Sequence, residues 1–513
     1  MTRARNLGDL IDRSADPQRV ALIGVDADLN ETPCTYAELD ELAEGVAQAL
    51  RLGGHPRGAR IALLAANSVR YVAAVMGIMR AGLVAVPVNF KFPAATIAYV
   101  LADSGARLVL HDDARLASVP AGLATVPLDG DGFLRFLAPG REPIHAPAPQ
   151  EVALMLYTSG STGKPKGVLL SHESHLWTVD TRRVATPLDD ERALIAAPLY
   201  HMNALALAFL SIASHATTVL LPQFTAQAYI RCIGRYRCTW LTAVPPMIAM
   251  MLRERDLLAQ TDLSSVKVIR MGSAPVSASL LAQIHAMLPN ARVINAYGTT
   301  EGGPVVFGPH PQGLPTPPMS IGYPHPQVSV RLSRGAEDGP GQGMLEMKSP
   351  GLMLGYHQRP DLKPPFTEDG HYVTGDVFRR DEQGFHYFVG RRDDMFVSGG
   401  ENIYPGEVEK IIETHPGVQQ ACVVPVPDDI KGTKPVAFVV PRAGAQLSED
   451  EIRRYTLANA AAYQHPRRVW IVDALPLAST NKLDRKRLQD EAQARVAERG
   501  EASPGDASPG RAA

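Results

Sequence analysis

The sequence predicts an α/β protein: a large N-terminal domain of two α/β subdomains with parallel-rich sheets plus a small β subdomain, followed by a small α+β C-terminal domain. Three observations predict it. As far as about residue 303, short apolar runs alternate with helix-length amphipathic segments, the pattern of parallel strands covered by helices on both faces. Beyond Gly303 the texture becomes one of strands and hairpins. From about residue 399, helix and strand patterns return on a smaller scale. The expected boundaries are 1–390, divided near 150 and 305, then 391–490. Residues 491–513, ending in "AERGEASPGDASPGRAA", are expected to be a disordered tail.

The elements follow in order. "TYAELDELAEGVAQALRLGG" opens with Thr35 and Glu38 in capping-box spacing and stops at Gly53-Gly54, so a helix is expected between them. "RIALLAAN" reads as a buried strand, "VRYVAAVMGIMRAG" as a helix and "LVAVPVNF" as a strand, and "AATIAYVLADSG" with "RLVLHD" repeats the pair. Residues 114–150, rich in Pro, Gly and Ala, read as a connection with room for a short strand. "EVALMLYTSG" is a strand running into a Gly-rich loop, and "ALIAAPLYH", "TTVLLP", "TWLTAVPP", "VKVIRMGS" and "RVINAYG" are further strands. "VSVRL", "GMLEMKSPG" and "GHYVTGDVFRRDEQGFHYFVGRRDD" give the hairpin region, with "DEQG" as a turn. "ENIYPGEVEKIIETHPGV", "QQACVVPVP", "KPVAFVVP", "SEDEIRRYTLANAAAY" and "RRVWIVDALPL" build the last unit.

Composition narrows the function. Of 513 residues, 45% are hydrophobic and 20% charged, and 51 basic against 53 acidic residues leave a formal net charge of −2. No polybasic block is present, which argues against nucleic acid or an anionic membrane surface as the main partner. Cys34, Cys232, Cys238 and Cys422 are sparse and unpaired in spacing, so neither a disulfide framework nor a zinc site is expected, and a cytoplasmic location is. The N-terminal segment meets Asp9, Asp12 and Asp16 before any apolar core and does not read as a signal peptide. The most apolar stretch, "ALALAFLSIASHATTVLLP", is broken by Ser211, Ser214, His215, Thr217 and Thr218. A spanning helix needs about 20 mostly apolar residues, so this stretch reads as a buried helix followed by a buried strand.

The segment "LYTSGSTGKPKGVLLSH" carries the chemistry. Small residues allow successive backbone N–H groups to face an anion, and hydroxyls and lysines add donors and charge. It is not a nucleoside-triphosphatase P-loop: only Ser161 and Thr162 separate Gly160 from Gly163, and Pro165 stands where the metal-binding hydroxyl is required. A kinase or GTPase mechanism loses its support.

"YTSGSTGKPKGV" resembles the phosphate loop of the adenylate-forming superfamily, which includes acyl- and aryl-CoA synthetases, luciferases and adenylation domains of peptide synthetases. Further segments match that family in its order: "PLYHMNA" at the acyl site, "GSAPV" beside the adenine, "NAYGTTEGGP" as the Y-G-x-T-E signature, "YVTGD" at the ribose, "GRRDDMFVSGGENIYPGEVE" at the hinge and "TNKLDRK" around the catalytic lysine. The resemblance spans nearly the whole chain and implies a mobile C-terminal domain. It also implies two half-reactions: a carboxylate attacks the α-phosphate of MgATP and releases pyrophosphate, and coenzyme A then takes the acyl group.

It implies roles residue by residue. Thr158, Ser159, Gly160, Ser161, Thr162, Gly163 and Lys166 would hold phosphate. Gly272, Ser273, Ala274 and Pro275, with Asn295, Ala296, Tyr297, Gly298 and Thr299, would surround the nucleotide base and phosphates. Thr300 would bond the α-phosphate and Glu301 would bind Mg²⁺. Asp376 would accept from the ribose hydroxyls, with Arg391 beside it. Lys482 would bridge the substrate carboxylate and the α-phosphate; the family commonly has glycine before it, and this chain has Asn481. Asp393 would be the hinge, and Gly399 and Gly400 would line the pantetheine tunnel. The acyl pocket would comprise His201, Met202, Phe209, Val244, Met247 and Met271.

The expected partners are a carboxylic acid, ATP and CoA, with a homodimer allowed and no integral membrane segment. Residues 202–215 contain no Asp or Glu to pair an amino-acid ammonium, which disfavours that substrate and favours an aryl or medium aliphatic acid. Loading of a carrier protein is the alternative to CoA. A catalytically dead nucleotide-binding protein is the rival from another class, against which the intact set of Lys482, Asp376, Arg391 and Glu301 argues. Strand alternation sets Arg270 and Met271 on opposite faces, with Met271 expected to face the pocket; an inward Arg270 would instead indicate a dicarboxylate of the malonate type.

Overall fold

The computed structural model describes residues 6–158, 164–272, 276, 278–335, 338–398, 401–428, 431–460, 463–478 and 483–498. The chain divides into a large unit, Met1–Val276 with Leu280–Phe388, and a small one formed mainly by Val389–Ala513.

Two seven-stranded sheets make the body of the large unit. In one, the order is Arg292–Asn295, Val268–Met271, Trp240–Ala243, Arg192–Ile195, Thr217–Leu220, Val20–Val25 and Glu31–Thr35. All neighbours run parallel except the last pair. In the other, the order is Gly355–Tyr356, Lys166–Ser171, Val152–Thr158, Val84–Pro87, Arg60–Leu64, Ala106–His111 and Ala124–Pro127. Each sheet thus draws strands from both the first 150 residues and the chain that follows. The helix Tyr36–Leu52 begins where expected: Thr35 accepts from the Glu38 N–H, and Glu38 accepts from the Thr35 N–H in return. Its residues Leu39, Ala43, Val46 and Leu50 recur every three or four positions and are fully buried.

The apolar stretch after residue 201 is the helix Met202–Ala213 followed by the strand Thr217–Leu220, both buried. No helix among the described residues is long and apolar enough to cross a membrane. The stretch 114–150, read as a connection with room for a short strand, holds that strand as Ala124–Pro127, with a 3₁₀ turn before it and the helix Gly130–Phe136 after it. The strands Val20–Val25 and Glu31–Thr35 had no expectation attached. Beyond Gly303 the antiparallel sheet Ser329–Ser333, Gln342–Lys348, Tyr372–Arg380, His386–Arg391 matches the hairpin reading. The "DEQG" turn closes through Asp381 N–H to Phe385 O at 3.0 Å.

In the small unit, Val418–Asp428 and Gly432–Pro441 pair antiparallel and Val469–Ile471 joins in parallel. One sheet face carries Ile403, Val408, Ile412 and Ile452, the other Leu475, Leu488 and Ala492. Two buried cores around one sheet let this unit hold its own shape.

Candidate active site

Four of the segments singled out in the sequence leave the same end of one sheet. The strands Arg192–Ile195, Trp240–Ala243, Val268–Met271 and Arg292–Asn295 are parallel neighbours. Each is followed directly by a segment of interest: 198–204, 244–247, 272–276 and 296–304. The crevice outside the carboxyl ends of parallel strands is where open α/β sheets bind ligands. Backbone bonds tie the ends together, with Ala296 N–H to Met271 O at 2.7 Å and Gly272 N–H to Ala243 O at 3.4 Å.

The strands on either side of the Gly-rich segment are sheet neighbours. Val152–Thr158 and Lys166–Ser171 are antiparallel, with Thr158 opposite Lys166. The element that follows the Gly-rich segment is thus a strand, Lys166–Ser171, and not the helix N-terminus that often follows a phosphate loop. Ser159, Gly160, Ser161, Thr162 and Gly163 lie outside the described residues, as do Ser273, Ala274 and Pro275.

Thr158 and Tyr356, both from the second sheet, meet Glu301, from the turn that follows the strand Arg292–Asn295 of the first. Thr158 donates its hydroxyl to Glu301 Oε1 at 3.4 Å, and the Tyr356 hydroxyl donates to the same oxygen at 3.1 Å. The Lys166 ammonium stands 4.9 Å from the centre of the Tyr356 ring. Thr300 and Glu301 occupy a turn closed by Gly303 N–H to Thr299 O at 2.9 Å and Gly302 N–H to Thr299 Oγ1 at 2.8 Å. Met353 N–H fixes the Glu301 carbonyl at 2.8 Å. Gly298 is required by this turn: a Cβ there would sit 2.8 Å from Gly303 O and 2.9 Å from Pro304 Cα. A carboxylate fed by two hydroxyls, with a lysine nearby, is a hard oxygen site that fits a magnesium ion arriving with a nucleotide.

Asp376 is 4% exposed on the strand Tyr372–Arg380 and accepts the hydroxyl of Tyr297. Burial, then the Asp376 charge, pushes the Tyr297 hydroxyl well above its ordinary pKa. That proton stays on Tyr297, which orients the carboxylate as an acceptor. Burial, then Glu301, similarly raises Tyr372.

At the acyl end, Asn67 is a positioning residue that the sequence did not mark. Its Nδ2 donates to Ala197 O and Leu221 O at 3.0 Å each, and its Oδ1 accepts Leu199 N–H at 2.8 Å. This pins the chain before His201, which caps the Met202–Ala213 helix and meets the Tyr200 ring edge-on at 4.6 Å. Met202 and Phe209 belong to one apolar core, and Val244, Met247 and Met271 to another. Strand alternation sets Arg270 and Met271 on opposite faces, as expected. Met271 is buried with Val244 and Met247, while Arg270 projects to the Met202 side and donates to Asn203 Oδ1 at 3.1 Å and Pro304 O at 3.3 Å.

In the small unit, Arg391 pairs with Asp393 at 3.3 Å, both close to half exposed. Gly399 and Gly400 lie between the paired strands Phe396–Ser398 and Glu401–Ile403, outside the described residues, and so does Lys482. Among the described neighbours, Leu477 and Leu483 form a β-bridge and Asp484 N–H donates to Pro476 O at 2.9 Å. Arg485 makes two bonds to Glu409, at 2.5 and 2.6 Å. Tyr356 and Asn67 had no signal in the sequence, because each acts through a partner at least 55 residues away.

Comparison with known proteins agrees with this geometry. Residues 12–357 match the AMP-binding enzyme family, and residues 407–482 match the C-terminal domain of AMP-binding enzymes. The chain belongs to the AMP-binding enzyme family. Within the adenylate-forming superfamily it falls among the acyl- and aryl-CoA synthetases. It is 34% identical to a feruloyl-CoA synthase of Amycolatopsis over 472 residues, covering 88% of this chain and 92% of the relative. It is 31% identical to the long-chain-fatty-acid–CoA ligase FadD13 of Mycobacterium tuberculosis, over 90% and 94% of the two chains. Among solved structures, ATP-bound MatB from Rhodopseudomonas palustris superposes with a TM-score of 0.85 at 27% identity, over 95% of this chain and 99% of that one. The o-succinylbenzoate CoA synthetase of Bacillus subtilis, in complex with its acyl-adenylate intermediate, gives 0.80 at 29% identity, over 96% and 99%.

Proposed function

We propose that this AMP-binding enzyme joins an aryl or medium aliphatic carboxylic acid to coenzyme A in two steps. First, a carboxylate oxygen bonds to the α-phosphorus of ATP, the bond to the β,γ-pyrophosphate breaks, and pyrophosphate leaves. Then the CoA sulfur bonds to the acyl carbon, AMP departs with the carboxylate-derived oxygen, and the thiol proton passes to solvent.

The observation that carries this reading is the meeting at Glu301. Thr158 and Tyr356, from strands on either side of Lys166–Ser171 in one sheet, both donate to its carboxylate. These contacts support a polar nucleotide site around Glu301, and the Tyr297 hydroxyl bond to Asp376 supports a ribose acceptor there. Lys166 supplies cationic charge at the phosphates and Glu301 a magnesium ligand. Lys482 neutralises the repulsion between the incoming carboxylate and the α-phosphate. Arg391 contacts the ribose or a phosphate, and rotation at Asp393 separates the two half-reactions. His201 and Met202 border the acyl group. ATP and CoA are cytoplasmic substrates, and the four cysteines, all free and buried, suit a reducing compartment.

A carrier-protein thiol is the second reading, favoured by 31% identity to a fatty acid–[acyl-carrier-protein] ligase of Streptomyces coeruleorubidus. The test is a carboxylic-acid panel with ATP and Mg²⁺, reading AMP release with CoA, with a phosphopantetheinylated carrier protein, or with neither. AMP release that rises with CoA supports the proposal. Release that responds only to carrier protein selects the second reading, and no acid-dependent pyrophosphate exchange with any acid refutes both.

A further inference from the structure

Asp103, in the last turn of the helix Ala94–Ser104, bonds to residues from both strands that carry the hydroxyls meeting Glu301. Its Oδ2 accepts the Tyr157 hydroxyl at 2.6 Å, and its Oδ1 accepts the Tyr99 hydroxyl at 3.2 Å. Its backbone oxygen is one of the carbonyls that a helix end leaves without an intrahelical partner. It accepts from His357 Nε2 at 3.1 Å. One residue thus holds three rings through three different oxygens.

Each ring stands next to a group of the nucleotide site. Tyr157 immediately precedes Thr158, whose hydroxyl reaches Glu301 Oε1 at 3.4 Å. His357 immediately follows Tyr356, whose hydroxyl reaches the same oxygen at 3.1 Å. The Lys164 ammonium lies 5.3 Å from the centre of the Tyr99 ring, as that of Lys166 lies 4.9 Å from the Tyr356 ring. The two lysines are therefore set apart: Lys166 on the ring that serves Glu301, Lys164 on the ring that serves Asp103.

The strand between the two sides ties them together. Tyr157 is paired with Gly167, and His357 N–H donates to Gly167 O at 2.7 Å. A Cβ on Gly167 would lie 3.1 Å from Tyr157 Cζ and 3.3 Å from His357 Cβ, so the bare backbone packs between the two side chains that Asp103 bonds. An ionised carboxylate accepts only, and hydroxyl bonds to it are among the stronger ones. Burial, then the bond to Asp103, raises the Tyr157 hydroxyl above its ordinary pKa, so it remains a donor. Asp103, Tyr99, Tyr157 and His357 are all half-buried. Water can replace a bond lost there, so what Asp103 secures is the placement of Thr158 and Tyr356 more than the core beneath them.

We propose that Asp103 is a positioning residue for the phosphates of ATP, holding Tyr157 and His357 so that Thr158 and Tyr356 converge on Glu301, and holding the Tyr99 ring against Lys164. This rests on the ligase reading of the site and adds to it a residue that itself touches no substrate.

Calorimetric titration of the full-length protein with MgATP and with AMP separates placement from folding, because AMP lacks the two phosphates that leave as pyrophosphate. Asp103→Ala is expected to weaken MgATP binding about tenfold and AMP binding by less than about threefold. Asp103→Asn keeps a side-chain carbonyl for Tyr157 and leaves the backbone bond to His357 untouched, and is expected to recover most of the MgATP affinity. Tyr157→Phe is expected to reproduce the selective loss, and Asp103→Ala with Tyr157→Phe to be within about twofold of the weaker single variant, since both remove the same bond. Should Asp103→Ala fail to fold, Tyr157→Phe, which loses one oxygen, carries the same comparison. MgATP and AMP weakened alike, a lower Tm with MgATP affinity unchanged, or losses that simply multiply in the double variant would overturn the proposal. A wild-type protein that binds neither MgATP nor AMP would overturn the nucleotide-site reading itself, a result distinct from variants that bind both as the wild type does.

Discussion

Removal of Glu409 tests how the small unit holds Arg485. Glu409 lies on the helix Pro405–Glu413 and is 8% exposed. Its carboxylate takes both terminal nitrogens of Arg485, at 2.5 and 2.6 Å, and the N–H of Val423 at 2.7 Å. Burial opposes the Arg485 charge, but the Glu409 carboxylate outweighs it and raises the pKa of Arg485 above its ordinary value. Glu409→Ala strands that charge. Breaking a buried pair from one side costs roughly 3–5 kcal/mol, and the 29% exposure of the Arg485 side chain puts the value near the lower end, about 3 kcal/mol. The orphaned Val423 N–H adds about 1 kcal/mol. At about 1.4 kcal/mol per decade, the total corresponds to a roughly thousandfold faster hydrogen exchange of the core amides of Val418–Asp428 and Gly432–Pro441. Native-state exchange read by mass spectrometry measures this. Replacing both Glu409 and Arg485 with Leu is expected to recover most of the loss, because no charge is left buried. A single substitution that changes protection by less than about 1 kcal/mol, or a double variant worse than the single, would refute the reasoning.

Lys482→Ala is expected to abolish adenylate formation yet permit CoA attack on supplied acyl-adenylate; equal loss of both half-reactions, measured separately, would contradict its assigned role. Asp393→Pro is expected to block thioester formation while sparing pyrophosphate exchange, and normal overall turnover would remove Asp393 as the hinge. Gly298→Ala forces a Cβ against Gly303 O and Pro304 Cα, so a stability loss of roughly 1–3 kcal/mol and a raised KM for ATP are expected, read by thermal melting and pyrophosphate exchange. Burial holds His172, His175 and His386 near pKa 4, and His172 Nδ1 must stay unprotonated to accept Leu7 N–H at 3.0 Å. Their folded pKa values lie below the unfolded value of 6.5, so this stabilisation is complete above that pH and declines as pH falls toward 4. Denaturant midpoints are expected to fall across that window and to fall less in His172→Asn.

Much of the fold was legible because buried parallel strands and their covering helices write strong apolar periods. The strand Arg60–Leu64, the helix Val69–Arg80 and the capped helix Tyr36–Leu52 are local statements of that kind. The strand Lys166–Ser171 was hidden behind a glycine-rich loop whose usual successor is a helix, and pairing with Val152–Thr158 decides its form. The nucleotide residues could be read because they cluster in short motifs. Tyr356 and Asn67 could not, since the groups they hold lie far along the chain. Arg270 and Met271 were read onto opposite faces because alternation fixes parity, whereas the acceptors that Arg270 meets come from Asn203 and Pro304, which the strand's own sequence does not describe.

The central claim is that a carboxylate oxygen of the substrate becomes bonded to the α-phosphorus of ATP. An accepted acid labelled with ¹⁸O in its carboxyl group, incubated with ATP, Mg²⁺, CoA and enzyme, tests it by mass spectrometry of the products. The account predicts one ¹⁸O atom in AMP and none in pyrophosphate. Unlabelled AMP, or label appearing in inorganic phosphate beside ADP, would contradict it.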